Sequence, residues 1–384
     1  MPLLPSPNAK DLNLLAHAGC QTDATHGSLV MPPYFTSTYQ RAEDGSYEHG
    51  NVYGRGSNPT RRLFETTMAT FENGTDAAAF ASGTAGFHAA FSALKSGDHV
   101  LLPDDVYHGT RVLLNDVMNH LGITFSTVDT TSTTSILEAI QETTRLLILE
   151  TPSNPLLKIT DLKSVITEVK ASNSGITILV DNTWSTPLIT KPLDLGADLV
   201  LHSVTKYLAG HSDLLGGVIV GKEEDIFWQR IKMIQGVGGG IMDPFTAWLS
   251  LRGMRSMAVR FQRQCENAIQ LAAWLEKQSM VEKVFFPNLK SHDGYKIALE
   301  QMVWPGAMLS FLVRDGNEKN CLKMVAKLKV FTRATSLGGT ESLLEHRASV
   351  EAQPTKTPNN LIRVSVGLEA AESLIGDLEQ AMKE

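Results

Sequence analysis

Cysteine is scarce in this 384-residue sequence: Cys20, Cys265 and Cys321 lie far apart, and no two form a CxxC pair. That spacing argues against a disulfide framework and a thiolate zinc site, so no metal is expected, and it fits a chain working in the cytoplasm. The three read as packing residues or free thiols. Long apolar runs are missing as well. None approaches the ~20 residues that a bilayer-spanning helix needs, so no membrane partner is expected. Positive charge is not in excess. The formal net charge is −7, which gives nucleic acid or an anionic lipid surface nothing to hold. The opening residues, Met1-Pro-Leu-Leu-Pro-Ser-Pro-Asn8, lack both the charged start and the apolar stretch of a secretory signal. Also absent are GxGxxG, the P-loop pattern and any internal repeat, so a nicotinamide or triphosphate site lacks its usual loop. Only residues 351–360 have low-complexity character.

What is there is an ordinary globular composition, 42% hydrophobic and 20% charged, on a chain long enough for two or three domains. Residues 1–58 are rich in Pro, Gly, Ser, Thr and Tyr, with helical periodicity only over 10–18. This segment reads as an arm contacting a neighbouring subunit. Across 59–250, short apolar runs alternate with helical segments. Strands are expected over 77–81, 99–102, 124–128, 146–150, 176–181, 199–202 and 217–220, and helices over 87–94, 110–121, 135–143 and 161–171. Several runs are apolar throughout, as in strands covered on both faces. The alternation predicts an α/β domain with a mostly parallel central sheet. Residues 251–384 read as a smaller C-terminal α+β domain. It holds a long helix over 254–277, strands over 281–285, 307–313 and 361–366, and a terminal helix over 370–382.

The most informative stretch is Leu201-His-Ser-Val-Thr-Lys-Tyr-Leu-Ala-Gly-His-Ser-Asp213. A lysine amine condenses with an aldehyde once it is placed to lose its proton. Hydroxyls at Ser203 and Thr205 can hold a phosphate beside Lys206. Together they suggest pyridoxal 5'-phosphate (PLP) bound covalently to Lys206, although a lone lysine after a strand is usually just a surface residue. Five further features decide between those readings. Ser82-Gly-Thr-Ala-Gly86 lies between a strand and a helix, where small residues and a helix N-terminus let backbone N–H groups approach an anion. Asp181 closes a strand at the end where open α/β sheets bind ligands. A carboxylate there can keep a pyridine nitrogen protonated, or it can cap a helix. Tyr107, at a strand exit, can stack on an aromatic ring or simply pack. Tyr53 and Arg55, two apart in an extended arm, suit a phosphate or plain solvent. Arg363 lies within the apolar run Leu361-Ile-Arg-Val-Ser-Val-Gly367. Buried there, it needs an anionic partner, either a substrate carboxylate or an internal salt bridge.

These stretches, together with Tyr53-Gly-Arg-Gly-Ser-Asn-Pro-Thr-Arg61, Glu150-Thr-Pro-Ser-Asn-Pro155, Ser336-Leu-Gly-Gly-Thr-Glu-Ser342 and Arg363-Val-Ser-Val-Gly-Leu-Glu369, resemble the trans-sulfuration branch of the PLP-dependent enzymes. That branch includes cystathionine β-lyase, cystathionine γ-synthase, cystathionine γ-lyase and methionine γ-lyase. The resemblance runs over nearly the whole chain. It implies the aspartate-aminotransferase-like fold (PLP-dependent transferase fold type I), a small amino-acid substrate, and a homotetramer made of two tight dimers. Lys206 would carry the cofactor as a Schiff base and shuttle protons, with Tyr107 and Tyr53 beside it in the catalytic set. Asp181 would pair with the pyridine nitrogen, and Tyr107 would stack on the ring. Ser82, Gly83, Thr84, Ser203 and Thr205 would hold the phosphate, joined by Tyr53 and Arg55 from the neighbouring subunit. Arg363, Asn154, Thr335 and Ser336 would bind the substrate and its α-carboxylate.

Within the branch, many γ-acting members carry an acidic residue just before the site tyrosine and another before the Ser-Leu-Gly-Gly motif. Here those positions are Val52 and Thr335, and Gly54 in Tyr-Gly-Arg also resembles the β-lyases. The expected reaction is therefore β-elimination of L-cystathionine to homocysteine, pyruvate and ammonia, with γ-synthase and then γ-lyase chemistry as alternatives. Glu345, His346 and Arg347 either line the substrate entrance or are solvated loop charges, and the second reading is taken.

Overall fold

A computed structural model of the chain describes residues 4–351 and 355–383. Residues 1–3 of the arm, 352–354 of the low-complexity stretch and 384 lie outside the described residues. Seven strands make the larger sheet: β1 (Asp76–Phe80), β2 (His99–Pro103), β3 (Thr124–Val128), β4 (Thr144–Glu150), β5 (Thr177–Asp181), β6 (Leu199–Ser203) and β7 (Gly217–Gly221). Their order across the sheet is β1-β7-β6-β5-β4-β2-β3. From β6 to β3 all neighbours are parallel, and β7 runs against both β1 and β6.

The apolar strands are apolar because both faces are covered. On β4, Leu146 and Ile148 pack with Val100 and Leu102 of β2 on one side. Leu147 and Leu149 pack with Leu101 on the other. The helix Gly83–Ser92 contributes Phe87 and Phe91 to the first side, and the helix Pro59–Phe71 contributes Phe64, Met68 and Phe71 to the second. The parallel pairing sends successive strands out at the same edge, so β4, β5 and β6 all end there.

The second sheet is smaller and antiparallel. It holds β8 (Val281–Phe285), β9 (Met308–Val313), β10 (Leu343–His346) and β11 (Leu361–Ser365) in the order β10-β11-β9-β8. The helices Met257–Leu275 and Ala371–Met382 pack against each other there. Among the described residues no helix is long and apolar enough to cross a membrane.

Of the expected helices, one starts slightly later in the structure and another changes type along its length. The helix expected over 254–277 forms as one helix, Met257–Leu275, and a short turn separates it from the preceding helix Pro244–Met254. That turn lets Arg260, buried, reach back to the Gly253 carbonyl at 2.9 Å and the Tyr207 carbonyl at 3.3 Å. The stretch over 110–121 begins as an α-helix at His108, widens into a π turn over Leu114–Met118, and tightens to a 3₁₀ turn before Gly122 at φ +80°.

Candidate active site

Strand register assembles the site. Glu150 ends β4 opposite Asp181, and Asp181 ends β5 opposite Leu201 of β6. Lys206 lies in the turn after β6, with its N–H on the Ser203 carbonyl at 3.2 Å. These strand ends open on a cavity of about 340 Å³. Its walls include Ser82, Gly83, Thr84, Tyr107, Asn154, Asp181, Ser203, Thr205, Lys206, Thr335, Ser336 and Arg363. The structure thus gathers twelve of the fourteen residues singled out from sequence. The exceptions are Tyr53 and Arg55. Tyr53 is half exposed on the arm, and Arg55 is bonded to the Gly236 carbonyl at 2.6 Å. Another hollow, between Leu4, Ile269 and Trp304, has no ionisable side chain in its walls.

The Ser82 hydroxyl caps the helix Gly83–Ser92 by accepting from Ala85 N at 3.0 Å. That leaves the first helical N–H groups facing the cavity wall where Gly83 and Ser203 meet. A Cβ on Gly83 would come within 3.2 Å of the Ser203 side chain. The Ser203 hydroxyl itself has no hydrogen-bond partner among the described residues. Thr205 is fixed by accepting from Gly216 N at 3.0 Å.

Lys206 Nζ donates to Ser336 Oγ at 2.7 Å. Burial, reinforced by the Arg363 charge, lowers its pKa to about 8. Ser336 holds φ +96°, a left-handed backbone rare for serine. That conformation turns its hydroxyl to Lys206 while its carbonyl accepts from Arg363 Nη2 at 3.4 Å. Asp181 Oδ1 accepts from Thr183 N at 3.0 Å. Burial raises Asp181, while the Thr183 hydrogen bonds and the charges of His202 and Lys206 oppose that rise. Glu150 is pushed well above the usual carboxylate range by burial and then by the Asp181 charge. Of the two acids, Glu150 is pushed up the more strongly. Glu150 also accepts from Tyr107 N at 3.0 Å, fixing the base of the Tyr107 ring. Its role was not read from the sequence, although it closes a strand just as Asp181 does.

Around Arg363 the sequence reading needs correcting. Glu345, His346 and Arg347 are buried rather than solvated, because Glu345 and His346 belong to β10 and Arg347 turns inward after it. Glu345 lies opposite Arg363 on β11. Arg363 Nη2 is 2.5 Å from Glu345 Oε1, and Arg363 Nη1 donates to Asn154 Oδ1 at 2.9 Å. Arg347 also lines the cavity.

Over residues 13–383 the sequence matches the model of the Cys/Met metabolism PLP-dependent enzyme family. The chain belongs to this family. It is 42% identical to a cystathionine beta-lyase of Coxiella burnetii, over 95% of this chain and 96% of that protein. It is 40% identical to a cystathionine gamma-synthase of Mycobacterium bovis, over 95% of each. The structure of a cystathionine gamma-lyase from Lactobacillus plantarum complexed with L-serine superposes with a TM-score of 0.91 at 38% identity, covering 97% of this chain and 98% of that one. The chain is thus a PLP-dependent enzyme of cysteine and methionine metabolism with the fold type I architecture, and its relatives divide among three cystathionine reactions.

The residues present fit the family's cofactor. An amine of depressed pKa, a buried carboxylate and a glycine cradle with a free hydroxyl converge on one cavity. An aromatic ring completes it: Tyr107 lies so close over Gly109 that a Cβ there would sit 2.5 Å from the ring.

Proposed function

We propose that this enzyme is a carbon–sulfur β-lyase that cleaves L-cystathionine, with water, to homocysteine, pyruvate and ammonia. The observation carrying this reading is the wall at Thr335. It is a neutral residue lining the cavity beside Ser336, where γ-acting relatives often place an acid, and Val52 on the arm is neutral too.

In this reading Lys206 is the covalent attachment point and the proton carrier, while Asp181 holds the pyridine nitrogen protonated. Tyr107 covers the ring. Ser82, Gly83, Thr84, Ser203 and Thr205 cradle the phosphate. PLP, when bound, supplies an electron sink for the charge left on the substrate α-carbon. Lys206 Nζ, neutral in appreciable fraction because its pKa is near 8, removes the α-proton. The same group, kept in place by Ser336 Oγ, donates a proton to the departing sulfur. Arg363 and Asn154 orient the α-carboxylate so that the α-proton faces Lys206.

Tyr53 and Arg55 enter the site of a neighbouring copy, within a homotetramer of paired dimers. Their distance from the chain's own cavity supports this, as do the exposed apolar side chains of Leu29, Phe35, Met233 and Val237. We read residues 1–58 as that reaching arm, 59–250 as the cofactor domain and 251–384 as the C-terminal domain. Three cysteines without a disulfide suit the cytoplasm.

The equally broad match to a gamma-synthase keeps γ-replacement as the second reading. Two assays separate them. Pyruvate released from L-cystathionine supports the lyase. Cystathionine made from an O-acylhomoserine and cysteine, without pyruvate from cystathionine, overturns it.

A further inference from the structure

Arg363 is the guanidinium that would receive the substrate carboxylate, yet its fork is already engaged. Asn154 takes Nη1, and Glu345 Oε1 lies 2.5 Å from Nη2. All three side chains are buried. A second carboxylate arriving on Arg363 meets Glu345 in a poorly solvated site, where two like charges sharing one cation repel strongly. A second cation stands ready. Arg347 Nη1 is 3.1 Å from the same Glu345 oxygen. Arg347 is itself anchored, its Nε donating to Glu351 Oε1 at 2.9 Å. The other Glu351 oxygen accepts from the Thr357 hydroxyl at 2.8 Å. Glu345 Oε2 is buried and has no hydrogen-bond partner among the described residues. The acid therefore has one oxygen shared between two arginines and one oxygen to spare, which is an incomplete arrangement for a fixed structural salt bridge.

We propose that Glu345 is a resident anion that occupies Arg363 in the absence of substrate and passes to Arg347 when a substrate α-carboxylate docks. Arg347 is then a positioning residue for substrate binding, and Glu345 a built-in competitor. The charges favour the exchange. With Glu345 on Arg347, its second oxygen gains a donor, and Arg363 is left with Asn154 and the substrate. The idea rests on Arg363 being the carboxylate site and adds the residues that clear it.

Propionate tests this, because it carries a carboxylate but no amine and so binds without any exchange at Lys206. Calorimetric titration of the holoenzyme with propionate is the measurement, alongside its competition with L-cystathionine. Glu345→Gln is expected to tighten propionate about fivefold or more, and Arg347→Gln to weaken it about tenfold or more, by removing the competitor or its receiver. Arg347→Lys should remain within about threefold of the wild type, and Glu345→Gln/Arg347→Gln should recover to at least wild-type affinity. Thermal unfolding of each variant identifies any that fails to fold. If Arg347→Gln does not fold, Glu345→Gln alone still decides. Weaker or unchanged propionate binding in Glu345→Gln overturns the proposal, as does a double variant no better than Arg347→Gln. A wild-type enzyme that binds no propionate overturns the carboxylate role of Arg363 itself, and the exchange with it.

Discussion

A buried amine beside a guanidinium holds its proton weakly, and Lys206, with Arg363 near it, is such an amine. In the cofactor-free protein its pKa lies near 8 against 10.5 for a free lysine. Between those values the unfolded chain binds the additional proton, so stability rises with pH. Below them the whole cost of burying the charge is present, about 3 kcal/mol. Lys206→Met should therefore stabilise the cofactor-free protein at neutral pH, with the gain fading between pH 8 and pH 10.5. Urea unfolding at both ends of that window checks the sign. Arg363→Leu removes the carboxylate's partner and leaves Glu345 facing Arg347 alone. Its KM for L-cystathionine should rise about 100-fold or more, with a smaller fall in kcat. Equal falls in kcat and kcat/KM would assign Arg363 to the chemical step instead. At this scale the sequence was readable where a residue's setting is local. Lys206 and Asp181 stand at strand ends that apolar runs reveal. Glu345 and Arg347 were misread because a charge in a short polar-looking stretch carries no local mark of burial. Only pairing with β11 shows that they turn inward.

Elements hold the cradle by close approach, so small additions to the backbone should be felt at the cofactor. A Cβ on Gly217 of β7 would lie 2.2 Å from the Ser82 carbonyl. Gly217→Ala must push the start of the helix Gly83–Ser92 away from Ser203, and it should weaken PLP retention by about tenfold or more. Dialysis followed by reconstitution with measured PLP reads this, and unchanged retention would dissociate β7 from the cradle. Gly338 has φ +82°, and a Cβ there would sit 2.7 Å from Tyr207 N. Gly338→Ala should lower stability by about 1–3 kcal/mol and disturb the Ser336 contact with Lys206. The seven strands of the large sheet were legible because two-sided burial makes each a continuous apolar run. The turn before the helix Met257–Leu275 was not, because it serves a distant contact between Arg260 and the Tyr207 carbonyl. β10 was missed because its four residues, Leu-Leu-Glu-His, show no alternation.

For the molecule as a whole, the arm carries the clearest consequence. Tyr53 and Arg55 lie outside the cavity that the rest of the predicted site lines. If they serve a neighbour, two separately inactive variants should complement. Mixing unfolded Lys206→Ala and Arg55→Ala protomers and refolding them together should restore about a quarter of the wild-type activity, since one of the two sites in each hybrid pair keeps both residues. No recovery would return Arg55 to its own subunit. The central claim is covalent attachment at Lys206, and reductive trapping tests it most directly. The purified holoenzyme should be yellow, and borohydride should bleach it and leave a pyridoxyl phosphate label on the peptide containing Lys206. A colourless protein that takes up no added PLP, or a label on any other lysine, would contradict it.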